Sequence, residues 1–360
     1  MIKVLAVDDS ALMRKLLGQV FAAEADFDVR VARDAVEALE QLKSFQPDVI
    51  TLDIQMPQMD GLACLDRIMI ERPCPVVMVS AQTAAGAETT LEALRLGAVD
   101  LIAKPSGAIS MRITEFAPEL VEKVRAAAVA KLRPTLRLKE RVRHRIGGAA
   151  TPPRGRIVPE APANPAPVAA TGDGLVLVGT STGGPPALEV LLTALPSSFP
   201  WPILVAQHMP ATFTGPLARR LDRICALAVI EVTRPTLLEP GCVYIGRGDA
   251  DLIVSRRAAG LTALTAPALD YPWHPSADRL VRTAMEQVSP SQLIGVLMTG
   301  MGDDGATAMK QLHDRGGRTV AEAAETAVVW GMPGELVKVG GADAVLPLHK
   351  IAEHLQTLVP

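Results

Sequence analysis

Two groups of residues have the types and spacing to do chemistry. The first is acidic: Asp8 and Asp9 follow the apolar run KVLAV, and Asp53 ends VITLD. Carboxylates gathered at one sheet edge repel one another, a cost that a bound divalent cation offsets, and hard oxygen ligands suit Mg2+. With the metal in place, Asp53 can act as a nucleophile toward a phosphoryl group, and Lys104 in DLIAKPSG can steady the phosphoryl oxygens. Ser80, at the end of PVVMVS, can hydrogen-bond that group and report its arrival. Strand-end aspartates also cap helices, a role Asp9 and Ser10 could share at the start of ALMRKLLGQV. Pro105 after Lys104 suggests a rigid turn, with a cis peptide bond as the candidate form, that aims the lysine inward.

The second group starts at GLVLVGTSTGGPPALEVLL, an apolar strand, a glycine-rich turn and a helix, in which Gly179 to Gly183 fits G-x-S-x-G. Such a turn exposes its serine and places main-chain N–H groups and the positive helix end nearby, so Ser181 is the candidate nucleophile. Glycine-rich turns also cradle anions, which leaves a non-enzymatic binding module as an alternative. A serine nucleophile needs a base, and the base needs an orienting group. Among six histidines, His208 directly follows the strand PILVAQ and opens a loop at the same expected edge as Ser181; His274, in DYPWHPSAD, is the runner-up. Asp303 and Asp304 follow QLIGVLM and precede a helix, so that one could cap the helix while the other accepts from the imidazole. The resulting chain order, Ser then His then Asp, differs from that of ordinary α/β-hydrolases.

The elements that must position these residues form two sets. Five β-branched runs (KVLAVD, DVRVA, DVITLD, PVVMVS, VDLIAK) alternate with helical segments up to about residue 130, as expected for a flavodoxin-like (βα)5 domain with its site outside the carboxyl ends of a parallel sheet. From Gly174 the rhythm resumes with GLVLVG, PILVAQ, LAVIEV, a hairpin around CVYIGRGDADLIVSRRAAGLTAL, then QLIGVLM and RTVAEA: a second doubly wound, mostly parallel α/β domain. Between them lies KLRPTLRLKERVRHRIGG and a proline-rich stretch that forbids regular structure, a basic then semi-extended linker over 131–172. The predicted division is thus 1–130, linker 131–172, and 173–355.

At 360 residues and 49% hydrophobic the chain is long enough for two buried cores. A formal net charge of −3 and the lack of a basic recognition helix argue against nucleic-acid binding. The four cysteines form no CxxC pair, which suits a reducing compartment, and neither a signal peptide nor a membrane-length apolar run is present. The chain is therefore expected to be soluble and cytoplasmic, without membrane insertion.

VDDS, LDIQMPQMDG, SAQT and KPSG, in that order, resemble the motifs of response-regulator receiver domains. The resemblance implies phosphorylation of Asp53 by a partner histidine kinase, with magnesium held by Asp9, Asp53 and the main-chain carbonyl of Gln55, beside Asp8. Leu101 stands where many receivers carry a switch aromatic, which puts the aromatic-switch form of signalling in doubt. GTSTGG, QHMPATFT, HPSAD, MTGMGDDGA and ETAVVWGMPGELVKVGGADAVLPL resemble the catalytic domain of chemotaxis protein-glutamate methylesterases. That resemblance implies Ser181 as nucleophile, His208 as base and Asp304 as its orienting carboxylate, with Thr182 and the main chain at Met301 as oxyanion candidates and no cofactor in this half. It further implies a methyl-accepting chemoreceptor as substrate, deamidation of receptor glutamines as a secondary activity, and an unphosphorylated receiver that covers the cleft. Gly215-Pro216 lies where such relatives begin a more regular helix, so the cleft rim is expected to differ.

Overall fold

The computed structural model of the chain describes residues 1–81, 84–105, 109–132, 174–269 and 271–360. Nearly all of the expected linker, and Gln82, Thr83, Ser106 and Gly107 of the two receiver motifs, lie outside the described residues.

The first half alternates strictly: β1 (Ile2–Val7), α1 (Ala11–Ala22), β2 (Phe27–Ala32), α2 (Ala35–Ser44), β3 (Val49–Asp53), α3 (Gly61–Glu71), β4 (Val76–Ser80), α4 (Ala84–Leu96), β5 (Asp100–Ala103) and α5 (Ile109–Ala128). All strand pairs are parallel, in the order β2-β1-β3-β4-β5. Every residue of β3 and β4 is buried, because helices cover both faces, and their sequences VITLD and VVMVS are correspondingly apolar apart from Thr51 and the strand-end Asp53 and Ser80. The order reverses between β1 and β3, so the loops after these strands diverge and leave a crevice there, into which Asp8, Asp9 and Asp53 fall. Side chains start the helices: Ser10 accepts from Met13 N, Asp34 from Glu37 N and Asp60 from Ala63 N. Ser10 alone provides the side-chain cap of α1.

The second half holds β6 (Leu175–Thr180), α6 (Gly184–Thr193), β7 (Ile203–Gln207), α7 (Ala211–Ile224), β8 (Ala228–Glu231), β9 (Thr236–Leu237), β10 (Cys242–Ile245), β11 (Ala250–Arg257), β12 (Gly260–Pro267) and α8 (Ala277–Gln287). It continues with β13 (Leu293–Leu297), α9 (Ala306–Asp314), β14 (Arg318–Glu322), α10 (Met332–Lys338), β15 (Ala344–Leu346) and α11 (Leu348–Leu358). Seven parallel strands run β15-β14-β13-β6-β7-β10-β8, and a small antiparallel sheet runs β11-β12-β9. The expected hairpin is thereby corrected: CVYI, apolar enough to be buried on both faces, enters the main sheet between β7 and β8, and the hairpin proper is β11 with β12. Helix α7 runs unbroken through Gly215-Pro216, both buried, so the pair does not interrupt it. Strand β6 sits between β13 and β7, which makes it the switch point of this sheet.

The two halves touch directly. Leu91 and Leu94 on α4 belong to one apolar cluster with Leu217 and Leu221 on α7. Arg220 on α7 pairs with Glu189 at 2.5 Å and reaches Glu92 on α4 at 3.5 Å. Beyond α5, Lys131 N donates to Val328 O at 3.2 Å, and its Nζ donates to Ala324 O at 2.9 Å.

Candidate functional site

At the sheet edge of the first half, ligand oxygens of Asp8, Asp9 and Asp53 lie within 4.8 Å of one another. Lys104 Nζ bridges Asp8 Oδ2 at 2.8 Å and Asp53 Oδ2 at 2.7 Å. Burial pushes the Asp53 carboxyl above the ordinary carboxylate range despite the lysine, with the Asp8 charge adding to the rise. Burial alone would lower Lys104, but the two carboxylates outweigh it and hold the ammonium above its ordinary value. The donor set is all hard oxygen with an excess of negative charge, which fits a divalent cation. Gln55 N donates to Asp53 Oδ1 at 3.3 Å. Ser80 Oγ is buried at the end of β4 and accepts from Thr90 Oγ1 of α4 at 2.9 Å. Leu101 is buried in β5. Among the described residues the one cis peptide bond is His274–Pro275, so the cis form considered for Pro105 is corrected: that turn is trans.

Ser181 follows β6 and is only 7% exposed. Its amide donates to Thr299 O at 3.0 Å, beyond β13, and Gln207 Nε2, at the end of β7, donates to its carbonyl at 3.0 Å. The strand-to-helix turn is made by Gly183, whose φ of 77° favours glycine, and by Gly184, where a Cβ would collide with Gln207 Oε1 and lie 2.6 Å from Thr180 Oγ1. The three central strands thus fix the serine from both sides.

His208 leaves β7 with its amide on Thr180 O at 3.0 Å, and its Nε2 pairs with Asp304 Oδ2 at 2.8 Å. Donation from Nε2 to the carboxylate leaves Nδ1 as the nitrogen with a free lone pair in the neutral ring. That Nδ1 is buried and has no hydrogen-bond partner. Trp273 stacks on the imidazole with centroids 5.9 Å apart and planes 6° from parallel.

Asp304 is the aspartate that faces the imidazole, but its companion does not cap the following helix as one of the pair was expected to. The N-cap of α9 is Gly305 in a left-handed conformation, without a side-chain cap. Asp304 instead turns to the start of α8, accepting from Ser276 Oγ at 3.0 Å, Ala277 N at 2.6 Å and Asp278 N at 3.0 Å. Burial opposes its charge, yet the bonds to His208 and the helix amides prevail and hold the carboxyl below the ordinary range. Asp303 is exposed.

Ser181, His208, Trp273, His274 and Met301 line one cavity of about 450 Å³, whose remaining wall includes Pro118, Glu119, Glu122 and Lys123 of α5. The first half therefore roofs the serine. Thr182 is drawn into this contact: its Oγ1 donates to Asp100 Oδ2 of β5, and Lys123 Nζ holds Asp100 Oδ1 at 3.1 Å. Sequence reasoning brought Ser181, His208 and Asp304 to one edge but missed Ser276, Gln207, Trp273 and Asp100. Only Ser276 carried a local signal, as the N-cap serine of S-A-D before a helix.

The chain is similar to known proteins over nearly its whole length. The CheB methylesterase family profile matches residues 176–355 and that of the response regulator receiver domain residues 4–113. A protein-glutamate methylesterase/protein-glutamine glutaminase of Rhodopseudomonas palustris is 58% identical over 98% of this chain and 96% of its own. One from Rhodospirillum rubrum is 51% identical over 99% of this chain and 95% of its own. The crystal structure of the Thermotoga maritima CheB methylesterase catalytic domain is 38% identical and covers 52% of this chain and all of its own, with a TM-score of 0.51.

Proposed function

This chain belongs to the CheB methylesterase family and carries a response regulator receiver domain ahead of the catalytic one, and on that premise we propose that it demethylates glutamate methyl esters of chemoreceptors and deamidates receptor glutamines under control of Asp53 phosphorylation. The observation that carries the reading is the buried His208–Asp304 pair beside Ser181 in one cavity. An anion-binding glycine turn has no use for that pair.

His208 Nδ1 takes the Ser181 proton as the hydroxyl attacks the ester carbonyl. The imidazolium, stabilised by Asp304, returns a proton to the departing methanol or ammonia. Water, activated by the same nitrogen, then releases the glutamate carboxylate and regenerates Ser181. Asp304 is itself held by three donors at the start of α8, which fixes the imidazole plane. The main chain at Met301, in the cavity wall, and Thr182 are the oxyanion donors of this scheme. The Thr182 hydroxyl is engaged by Asp100 while the receiver is docked.

In the receiver, 1–130, Asp8, Asp9, Asp53 and the Gln55 carbonyl would hold Mg2+, which when bound offsets carboxylate and phosphoryl charge. A chemosensory histidine kinase supplies the phosphoryl group. Asp53 accepts it, Lys104 pairs with its oxygens, and Ser80, tied to Thr90 on α4, senses it. Since α4 packs on α7, a change there reaches the catalytic domain, 173–355, and the linker 131–172 lets the domains part without separating. The test is methanol release from methylated receptor fragments by wild type and Ser181→Ala, with and without a small phosphodonor and Mg2+. Release that requires Ser181 and rises with phosphodonor supports the reading; equal inactivity of both proteins on competent receptor overturns it.

A further inference from the structure

A second histidine–carboxylate pair, which serine ester chemistry does not use, reaches the cavity around Ser181 through its histidine. His274 Nδ1 lies 2.9 Å from Asp251 Oδ1, and Asp251, on β11, is completely buried. That carboxylate also accepts from Ser276 N at 2.8 Å and, through Oδ2, from Arg279 Nη1 at 2.6 Å. Burial opposes the charge of Asp251, but the bonds from His274, from the Ser276 amide and from Arg279 together outweigh it and hold the carboxyl below the ordinary range. An ionised acceptor at Nδ1 places the proton of the neutral ring there, which leaves the Nε2 lone pair on the opposite side of the ring. His274 lines the cavity with Ser181, His208 and Met301, and its neighbour Trp273 is the ring stacked on His208. The cavity thus presents a proton shuttle, already committed to Asp304, and a separate fixed acceptor.

A methyl ester and a carboxamide differ in donors: the ester leaving group has none, whereas the carboxamide nitrogen carries two N–H bonds. We propose that His274 is the residue that makes this site accept amides, by receiving one of those N–H bonds at Nε2 and orienting the nitrogen to be protonated by His208. The inference rests on the hydrolase reading above and deepens it. His274 holds the substrate; it moves no proton.

The experiment uses the full chain with phosphodonor and Mg2+, following ammonia release from a glutamine-bearing receptor fragment and methanol release from the methylated one. His274→Leu is expected to reduce the kcat for ammonia release about tenfold more than that for methanol release, the scale of one hydrogen bond. His274→Gln, which restores an acceptor, is expected to regain part of the amide activity alone. An amide-to-ester ratio unchanged within about twofold in both variants overturns the proposal, as does equal loss of both activities in both variants, which marks a purely structural residue. Wild type that releases methanol but no ammonia overturns this inference alone, whereas wild type that releases neither overturns the hydrolase reading with it.

Discussion

Replacement of Asp100 by alanine tests how the roof over Ser181 is held. Asp100 Oδ2 is the acceptor for Thr182 Oγ1 across the domain boundary, and Oδ1 holds Lys123 Nζ at 3.1 Å and Leu101 N at 2.7 Å. A hydrogen bond to a charged group contributes about 1.5–3 kcal/mol. Its removal shifts the docked-to-open ratio roughly 10- to 150-fold toward open. Lys123, with Glu119 at 4.0 Å and the charge of Glu122 remaining, also gains from reaching water, which acts in the same direction. The assay is methanol release from methylated receptor without phosphodonor. Basal rate is expected to climb by that factor until it meets the stimulated rate of wild type, with little further response to phosphodonor. A basal rate within about twofold of wild type, in a variant whose stimulated rate and thermal transition are intact, would refute the argument that this contact holds the domains closed.

Asp304→Asn is expected to lower methanol release about 10³- to 10⁴-fold through the wrong imidazole tautomer, and to destabilise the chain by about 1–3 kcal/mol in thermal unfolding because the donors at the start of α8 lose their anionic acceptor. The folded-state carboxyl is depressed, so its contribution is present above the ordinary carboxylate pKa and disappears as pH falls through the lower folded value; the variant's deficit should therefore shrink in acid. Mg2+ is expected to raise the thermal midpoint of wild type, by the equivalent of about 2.7 kcal/mol at a hundred times its dissociation constant, and to lose most of this effect in Asp53→Asn, which also abolishes stimulation by phosphodonor. Gly184→Ala forces a Cβ into Gln207 Oε1, and is expected to cost about 1–3 kcal/mol and to lower kcat more than it raises KM, since Gln207 also holds the Ser181 carbonyl.

What was legible in the sequence depends on range. The parallel strands read as largely apolar runs, and β6 with its glycine turn places Ser181 at a sheet edge from sequence alone. CVYI was misplaced because an apolar stretch of four residues followed by a true hairpin reads as part of that hairpin; its partners β7 and β8 are chosen by packing, not by local pattern. Asp304 is placed by the strand before it, but its engagement with the start of α8 joins residues 26 to 28 positions apart, to which no periodicity points. The Thr182–Asp100 contact joins residues 82 positions apart on different domains, and neither neighbourhood carries a trace of the other.

The shape of the roofed cavity sets what the docked receiver can exclude. A helix with its side chains measures about 10–12 Å across, so a receptor helix cannot reach Ser181 while α5 stands over it. About 450 Å³ remains beneath α5, within the range that small-molecule pockets occupy. The docked receiver thus leaves over Ser181 a space of small-molecule size, lined by α5 on one side and the catalytic residues on the other, that a helix does not fit.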